Sequence, residues 1–188
     1  MANCEAIYAL KGISSELCEG NVGGIKTAYI ALKSDVTIKP NTNTETGKPT
    51  STATITTEGN TAKFYQYEFR KNTSTFTSTL NADADNATQY WTTEAVLQFK
   101  KTEAAKRSSV MALCQNDVVV VIEDNNGKHW VLGADNAVTA TAGNQTMGTN
   151  RSDSNHYEIT LTDESNELPY EVEGWKASDM VVSTTPAE

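Results

Sequence analysis

The sequence predicts a mainly β protein, an antiparallel β-sandwich or open barrel with one flanking α-helix over about residues 102–115. Three observations lead there. Apolar residues recur mostly with period two, clusters of turn-forming residues separate the alternating runs, and the runs follow one another without the regular strand–helix alternation of a doubly wound α/β fold.

In chain order, residues 1–20 read as an N-terminal segment, 21–177 as a single β domain and 178–188 as a frayed tail. Ile25 to Leu32 is a short strand entered through Gly23-Gly24. The stretch 33–62 is rich in Thr and Asn with Pro40, Gly47 and Pro49 as breakers, and it predicts a long surface loop over about 33–60 with one weak strand near 53–57. A loop of that length in a small domain carries a function or moves.

The run KFYQYEFR sets Tyr65, Tyr67 and Phe69 on one face and Phe64, Gln66 and Glu68 on the other, the alternation of a half-buried strand. Next, NTSTFTSTL opposes Ser74, Phe76, Ser78 and Leu80 to Thr73, Thr75, Thr77 and Thr79. Threonine is β-branched and suits a pleated, wet surface. NADADNA then makes a polar turn, and TQYWTTEAVLQF places Trp91, Ala95, Leu97 and Phe99 inward with Tyr90, Thr92, Glu94 and Gln98 opposite. The two runs together predict a long hairpin with one apolar and one polar face.

Between Thr102 and Gln115 good helix formers replace β-branched residues, with Val110, Leu113 and Cys114 as the apolar stripe and Thr102 as the predicted N-cap. DVVVVIED follows as a continuous apolar run of strand length, which predicts burial on both faces. Asn125-Asn126-Gly127 reads as a type I′ turn signal, with KHWVLG as the returning arm. Residues 134–155 are small and polar. HYEITLTDES alternates like a strand, and LPYEVEGW reads as a last hairpin.

The 188 residues carry 15 basic and 24 acidic side chains, a formal net charge of −9. Phosphate binding draws on clustered Lys and Arg that release counterions, so this balance excludes specific nucleic-acid readout. Cys4, Cys18 and Cys114 form no C-x-x-C pair and are odd in number, which argues against a disulfide scaffold or structural zinc, although Cys4 with Cys18 remains a pairing open to an oxidising setting. The N-terminus lacks the basic and apolar regions of a signal peptide, and no stretch approaches the roughly 20 apolar residues of a membrane span. The expected setting is a reducing cytoplasm.

Catalytic or metal chemistry finds little supply. His129 and His156 have neither an i, i+4 partner nor a neighbouring Cys. Pairing of Cys114 with either histidine is not excluded by separation, but a thiol on the inward face of a helix is inert. Asp83, Asp85 and Asn86 resemble the opening of a calcium loop without its glycine or its distal glutamate. Residues 20–24 lack the Gly-Lys-Ser/Thr ending of a phosphate loop. The expectation is a non-enzymatic protein with no cofactor and no metal.

NVGGIKTAYIAL, FYQYEFRKNTSTFTSTL, VVVVIEDNNGKHWVLGADNAV and HYEITLTDESNELPYEV resemble stretches of structural proteins of tailed phages from gut bacteria, most closely tail-tube-type (major tail) proteins. The resemblance spans about residues 21–175 and is a pattern of strands and turns without a catalytic signature. It implies a virion protein, assembled in the host cytoplasm into six-fold rings that stack as a hollow tube for DNA passage, with other tail or connector proteins as neighbours. It also implies that long loops bridge one ring to the next, for which Pro40, Gly47 and Pro49 in segment 33–60, and Asp83 and Asp85 in the turn 80–89, are the candidates.

A conduit must not trap a sliding duplex, and a neutral-to-acidic polar wall makes no strong phosphate contacts. The hairpin face carrying Thr75, Thr77, Thr79, Thr92, Glu94 and Gln98 has that character and is expected to line the lumen, with Phe76, Leu80, Trp91, Leu97 and Phe99 packed beneath it. An ordinary solvent-facing sheet surface has the same composition. The alternatives are another ring or connector component of the virion, or a carbohydrate- or receptor-binding β module with Trp130, Trp175 and Tyr170 as an exposed stacking platform.

Overall fold

The computed structural model describes residues 22–42, 49–57, 64–172 and 174–175, and within them the protein is mainly β with one α-helix. The strands are β1 (Ile25–Leu32), β2 (Val36–Thr42), β3 (Pro49–Thr57), β4 (Tyr65–Glu68), β5 (Thr75–Asp83) and β6 (Thr88–Lys100). After helix α1 (Ala104–Gln115) come β7 (Val118–Asp124), β8 (His129–Leu132), β9 (Thr139–Thr146), β10 (His156–Ser165) and β11 (Tyr170–Val172). They form a seven-stranded sheet in the order β2-β3-β11-β8-β7-β1-β4 and a four-stranded sheet in the order β5-β6-β10-β9. The expected sandwich with a flanking helix is the architecture found.

β7 shows why the sequence folds this way. With side chains alternating across a strand, Val118, Val120 and Ile122 enter the core between the sheets, together with Ile30 of β1, Leu97 of β6 and Ile159 of β10. Val119 and Val121 enter a second core on the other face of the seven-stranded sheet, with Tyr29, Ile38, Ile55, Phe64 and Val131. The uninterrupted apolar run thus fills two cores at once. Burying each such side chain contributes about 1.5–3 kcal/mol.

The four-stranded sheet is one-sided. Ala95, Leu97 and Phe99 of β6 and Tyr157, Ile159 and Leu161 of β10 are buried inward, and the alternate residues face out. Two polar residues share the inward face. Thr93 is wholly buried, 2.9 Å from the Ser78 hydroxyl, and Asp163 is 3% exposed directly across the ladder from Thr93.

α1 packs Leu113 and Val110 on the core between the sheets and lies beside β9. Its N-cap is Glu103, not Thr102, and the Thr102 N–H donates to Asn155 Oδ1 at 3.1 Å. Cys114 is exposed, not inward. On a helix, Cys114 is about 100° round from Leu113, so once Leu113 is the buried anchor its neighbour turns to solvent.

Other expectations also change. The described residues of segment 33–60 are not a long loop: a short 3-10 turn (Lys33–Asp35) leads into β2, which pairs antiparallel with β3, Ile38 opposite Ile55, while residues 43–48 and 58–60 lie outside the described residues. Among the side chains described in these strands, Val36 and Ile38 in β2 and Ala53 and Ile55 in β3 are the buried ones, so threonines carry much of the ladder and mask its alternation. β9 lies within the polar stretch 134–155, for the same reason. β11 is not a hairpin arm with β10; it crosses to the other sheet, antiparallel to β8 and parallel to β3. The turn after β7 has Gly127 as its one positive φ, at 80°, so it is not type I′, which needs two. Among the described residues no helix is long and apolar enough to cross a membrane.

Candidate functional site

Residues directly opposite in an antiparallel ladder point to the same face. In the β5–β6 pair, Thr75 faces Val96, Thr77 faces Glu94 and Thr79 faces Thr92, while Gln98 lies two positions beyond Val96 on the same side. Thr75, Thr77, Thr79, Thr92, Glu94 and Gln98 therefore share the outward face of the four-stranded sheet. The register carries that face onward: Glu158 opposes Gln98, Thr160 opposes Val96, Thr162 opposes Glu94 and Glu164 opposes Thr92. β9 completes it with Asn144, Ala142 and Thr139 opposite Glu158, Thr160 and Thr162, and past a register shift with Thr141, whose hydroxyl meets that of Thr162. The alternation in HYEITLTDES signalled β10 as a strand, but only the pairing shows that its polar half extends the threonine face.

The face is laced by hydroxyl and amide contacts. Thr141 Oγ1 lies 2.7 Å from Thr162 Oγ1, and Asn81 Nδ2 donates to Thr92 Oγ1 at 2.8 Å. At one end Gln98 Nε2 sits 2.8 Å from His156 Nε2, while His156 Nδ1 is 2.9 Å from Ser154 Oγ. The strand positions on this face include the acids Asp83, Glu94, Glu158 and Glu164, and one cation, Lys100, at the edge opposite His156. The surface is polar, hydroxyl-rich and net acidic.

The hairpin tip is built by Asp83. Its Oδ1 accepts the N–H groups of Asp85 (2.9 Å) and Asn86 (3.3 Å), and its Oδ2 accepts Asn86 Nδ2 at 2.6 Å. The Asn86 amide, then the two backbone donors, hold the Asp83 carboxyl below its usual range. Those oxygens close a turn, and Asp85 sits exposed at its apex. Pro40 lies in β2 opposite Ala53, and Pro49 opens β3 opposite Thr42, so both belong to a paired hairpin and not to an unpaired bridge; Gly47 lies outside the described residues. Pro40 is tolerated because β2 is an edge strand.

Trp130, Tyr170 and Trp175 do not gather on one exposed platform. Trp175 stands on the second core, its ring 5.3 Å from Tyr29 and 5.2 Å from Phe64, and His129 is 6.0 Å from it. Burial, outweighing the nearby Glu123 and Asp124 carboxylates, pushes the His129 pKa down. Tyr170 is buried in the second core across the ladder from Val131, whereas Trp130 is half-buried on the opposite face of the same sheet. Among the described residues no group of three or more His, Cys, Asp or Glu side chains is arranged to hold a metal ion.

Compared with known proteins, the chain matches no family model, no curated protein and no solved structure.

Proposed function

We propose that this chain is a non-enzymatic virion subunit of the tail-tube type, whose copies close into rings that stack as a conduit for DNA. The observation that carries the reading is the threonine-rich face. It runs across all four strands of one sheet, presents mostly hydroxyls, amides and carboxylates around Val96 and Ala142 with one peripheral lysine, and backs onto the apolar layer between the sheets.

A wall of this kind makes few favourable contacts with phosphate, so a duplex slides past it. Among the described residues the sheet also ends in two strands, β5 and β9, that are paired on one side only. Unpaired strand edges invite pairing with another chain, and a β5-to-β9 contact between copies is heterologous, the kind that closes rings. The distal hairpin adds apolar surface for a neighbour, with Leu80 43% and Tyr90 40% exposed.

Sedimentation and negative-stain imaging of the purified protein over rising concentration test the proposal. Rings or hollow filaments are expected. A chain that stays monomeric at every concentration, and under crowding and low salt, overturns it.

A further inference from the structure

The β5–β6 hairpin outruns the sheet it belongs to. β10, which pairs with β6, ends at Ser165 opposite Trp91, while β5 and β6 go on to pair Asn81 with Tyr90, Ala82 with Gln89 and Asp83 with Thr88. These last rungs form a two-stranded arm, and every residue from Ala82 to Tyr90 is exposed. A ribbon of two strands is marginal in water on its own. At its base Leu80, opposite Trp91, belongs to the inward face, and Tyr90, opposite Asn81, belongs to the outward face. The arm thus carries an exposed apolar side chain on each face, which suits insertion between two walls better than lying flat on one surface.

A groove with two such walls lies elsewhere in the fold. It has a volume of about 520 Å³ and lies between α1 and the β1–β4 edge of the seven-stranded sheet. The register puts its sheet wall on one face. Tyr65 opposes Ile30, which belongs to the core between the sheets, Tyr67 opposes Ala28 of the same core, and Leu32 stands two positions on from Ile30. Val110 and Leu113 line the helical wall. Phe99 of β6 also lines the groove, its ring centroid 5.3 Å from that of Tyr67. Leu32 and Tyr65 are exposed, and among the described residues β4 is the last strand of its sheet.

An arm cannot fill the groove of its own copy. Tyr90 and Phe99 lie near opposite ends of β6, about 30 Å apart at roughly 3.3 Å per residue. Charge favours another copy as the occupant. The chain carries −9, so copies repel one another except where unlike charges meet. Asp83 and Asp85 stand at the exposed tip of the arm, and Lys106 is the one charged residue lining the groove, its Nζ 2.7 Å from the Lys100 carbonyl and 3.8 Å from Glu103. We infer that the groove between α1 and β4 receives the β5–β6 arm of a second copy, with Leu80 and Tyr90 against Leu32 and Tyr65 and Asp85 towards Lys106. Arm and groove are different surfaces of one chain, so the contact is heterologous and links copies in a row. It rests on the reading that the chain assembles, and it is a second contact, separate from the one between β5 and β9.

The test uses two variants of the full chain. Leu80→Asp with Tyr90→Asp disables the arm, and Leu32→Asp with Tyr65→Asp disables the groove. All four positions are exposed, and thermal melting checks each fold. Should an aspartate pair unfold its variant, the corresponding alanine pair takes its place with the same expectations. Sedimentation velocity should find each variant alone in smaller particles than the parent at equal concentration. Mixed in equal amounts after each has equilibrated, the two should pair, because the intact arm of one meets the intact groove of the other, and the particle mass should double and grow no further. Particles of parental size in either folded variant, or no gain in mass on mixing, overturn the inference. In both of those cases rings seen by imaging leave the conduit reading standing, whereas a parent that stays monomeric at every concentration overturns both.

Discussion

Asp163 Oδ2 accepts the Gly133 N–H at 2.8 Å inside the sandwich, and on the other side of the same glycine its carbonyl receives Lys33 Nζ at 2.5 Å. One residue of the β8–β9 connection is thus clamped between a buried carboxylate on β10 and an ammonium from the turn after β1. Lys33 also reaches the Ala134 carbonyl at 3.1 Å, and Asn136 Nδ2 donates to the Glu164 carbonyl at 2.8 Å. The crossover that carries the chain from one sheet to the other is pinned at both ends. Gly133 itself has φ +89°, with Val138 Cγ2 3.2 Å from where a Cβ would sit, so only glycine fits the clamp.

The clamp has a pH signature. Burial raises the Asp163 pKa against the lowering effects of the Gly133 N–H and Lys33, with Asp135 adding to the rise. A carboxyl whose folded pKa lies above its unfolded value favours the fold at pH below the unfolded value of 3.8, and that contribution is lost as pH rises through the folded pKa. Charged Asp163 therefore costs stability at neutral pH, and among the described residues its Oδ1 has no hydrogen-bond partner. Asp163→Asn keeps an acceptor for Gly133 without the charge. Urea denaturation should find it at least as stable as the parent at pH 7, with the difference shrinking towards pH 4. Asp163→Ala, which orphans the Gly133 N–H, should cost about 1–3 kcal/mol.

Leu97 and Leu80 lie on the two arms of the β5–β6 hairpin and both belong to its inward face, but Leu97 is wholly buried and Leu80 is 43% exposed. Leu97→Ala should lower unfolding free energy by about 2–5 kcal/mol through lost burial and an unfilled cavity. Leu80→Ala should change it by less than about 0.5 kcal/mol. Equal effects in chemical denaturation would show that the hairpin is covered along its whole length.

Much of this arrangement is legible in the residues. DVVVVIED announces a strand buried on both faces, and the opposition of Thr75, Thr77 and Thr79 to Phe76 and of Glu94 to Ala95 and Leu97 announces a one-sided hairpin. Legibility fails where threonine and asparagine stand at both kinds of position. β2, β3 and β9 each offer too few apolar residues to set a period, and what makes them strands is their pairing, β2 with β3, β9 with β10, and β3 with the distant β11. Thr93 and Asp163 are hidden for a related reason: polar residues at inward positions read as breaks until Ser78 and Gly133, far away in sequence, supply their partners. The six-residue polar face was readable on the hairpin, while its continuation through Glu158, Thr160 and Thr162 depended on a long-range register.

Cys114 gives a chemical check on the orientation of α1. With Cys4 and Cys18 replaced by serine, the native protein should react with iodoacetamide at the rate of an exposed thiol, close to that of the unfolded chain, because Cys114 faces solvent. Strong protection of the thiol, released only by denaturant, would mean that the helix is rotated to bury the stripe expected from the sequence.

The proposed role rests on where the threonine face ends up in the assembly, and a cryo-microscopy reconstruction of the assembled protein measures that position directly. The account predicts rings closed through β5 and β9, with Thr77, Thr79, Glu94 and Thr162 around the inner wall and α1 away from it. A reconstruction that places those residues on the outer surface, or buries them in a subunit contact with no central channel, would contradict it.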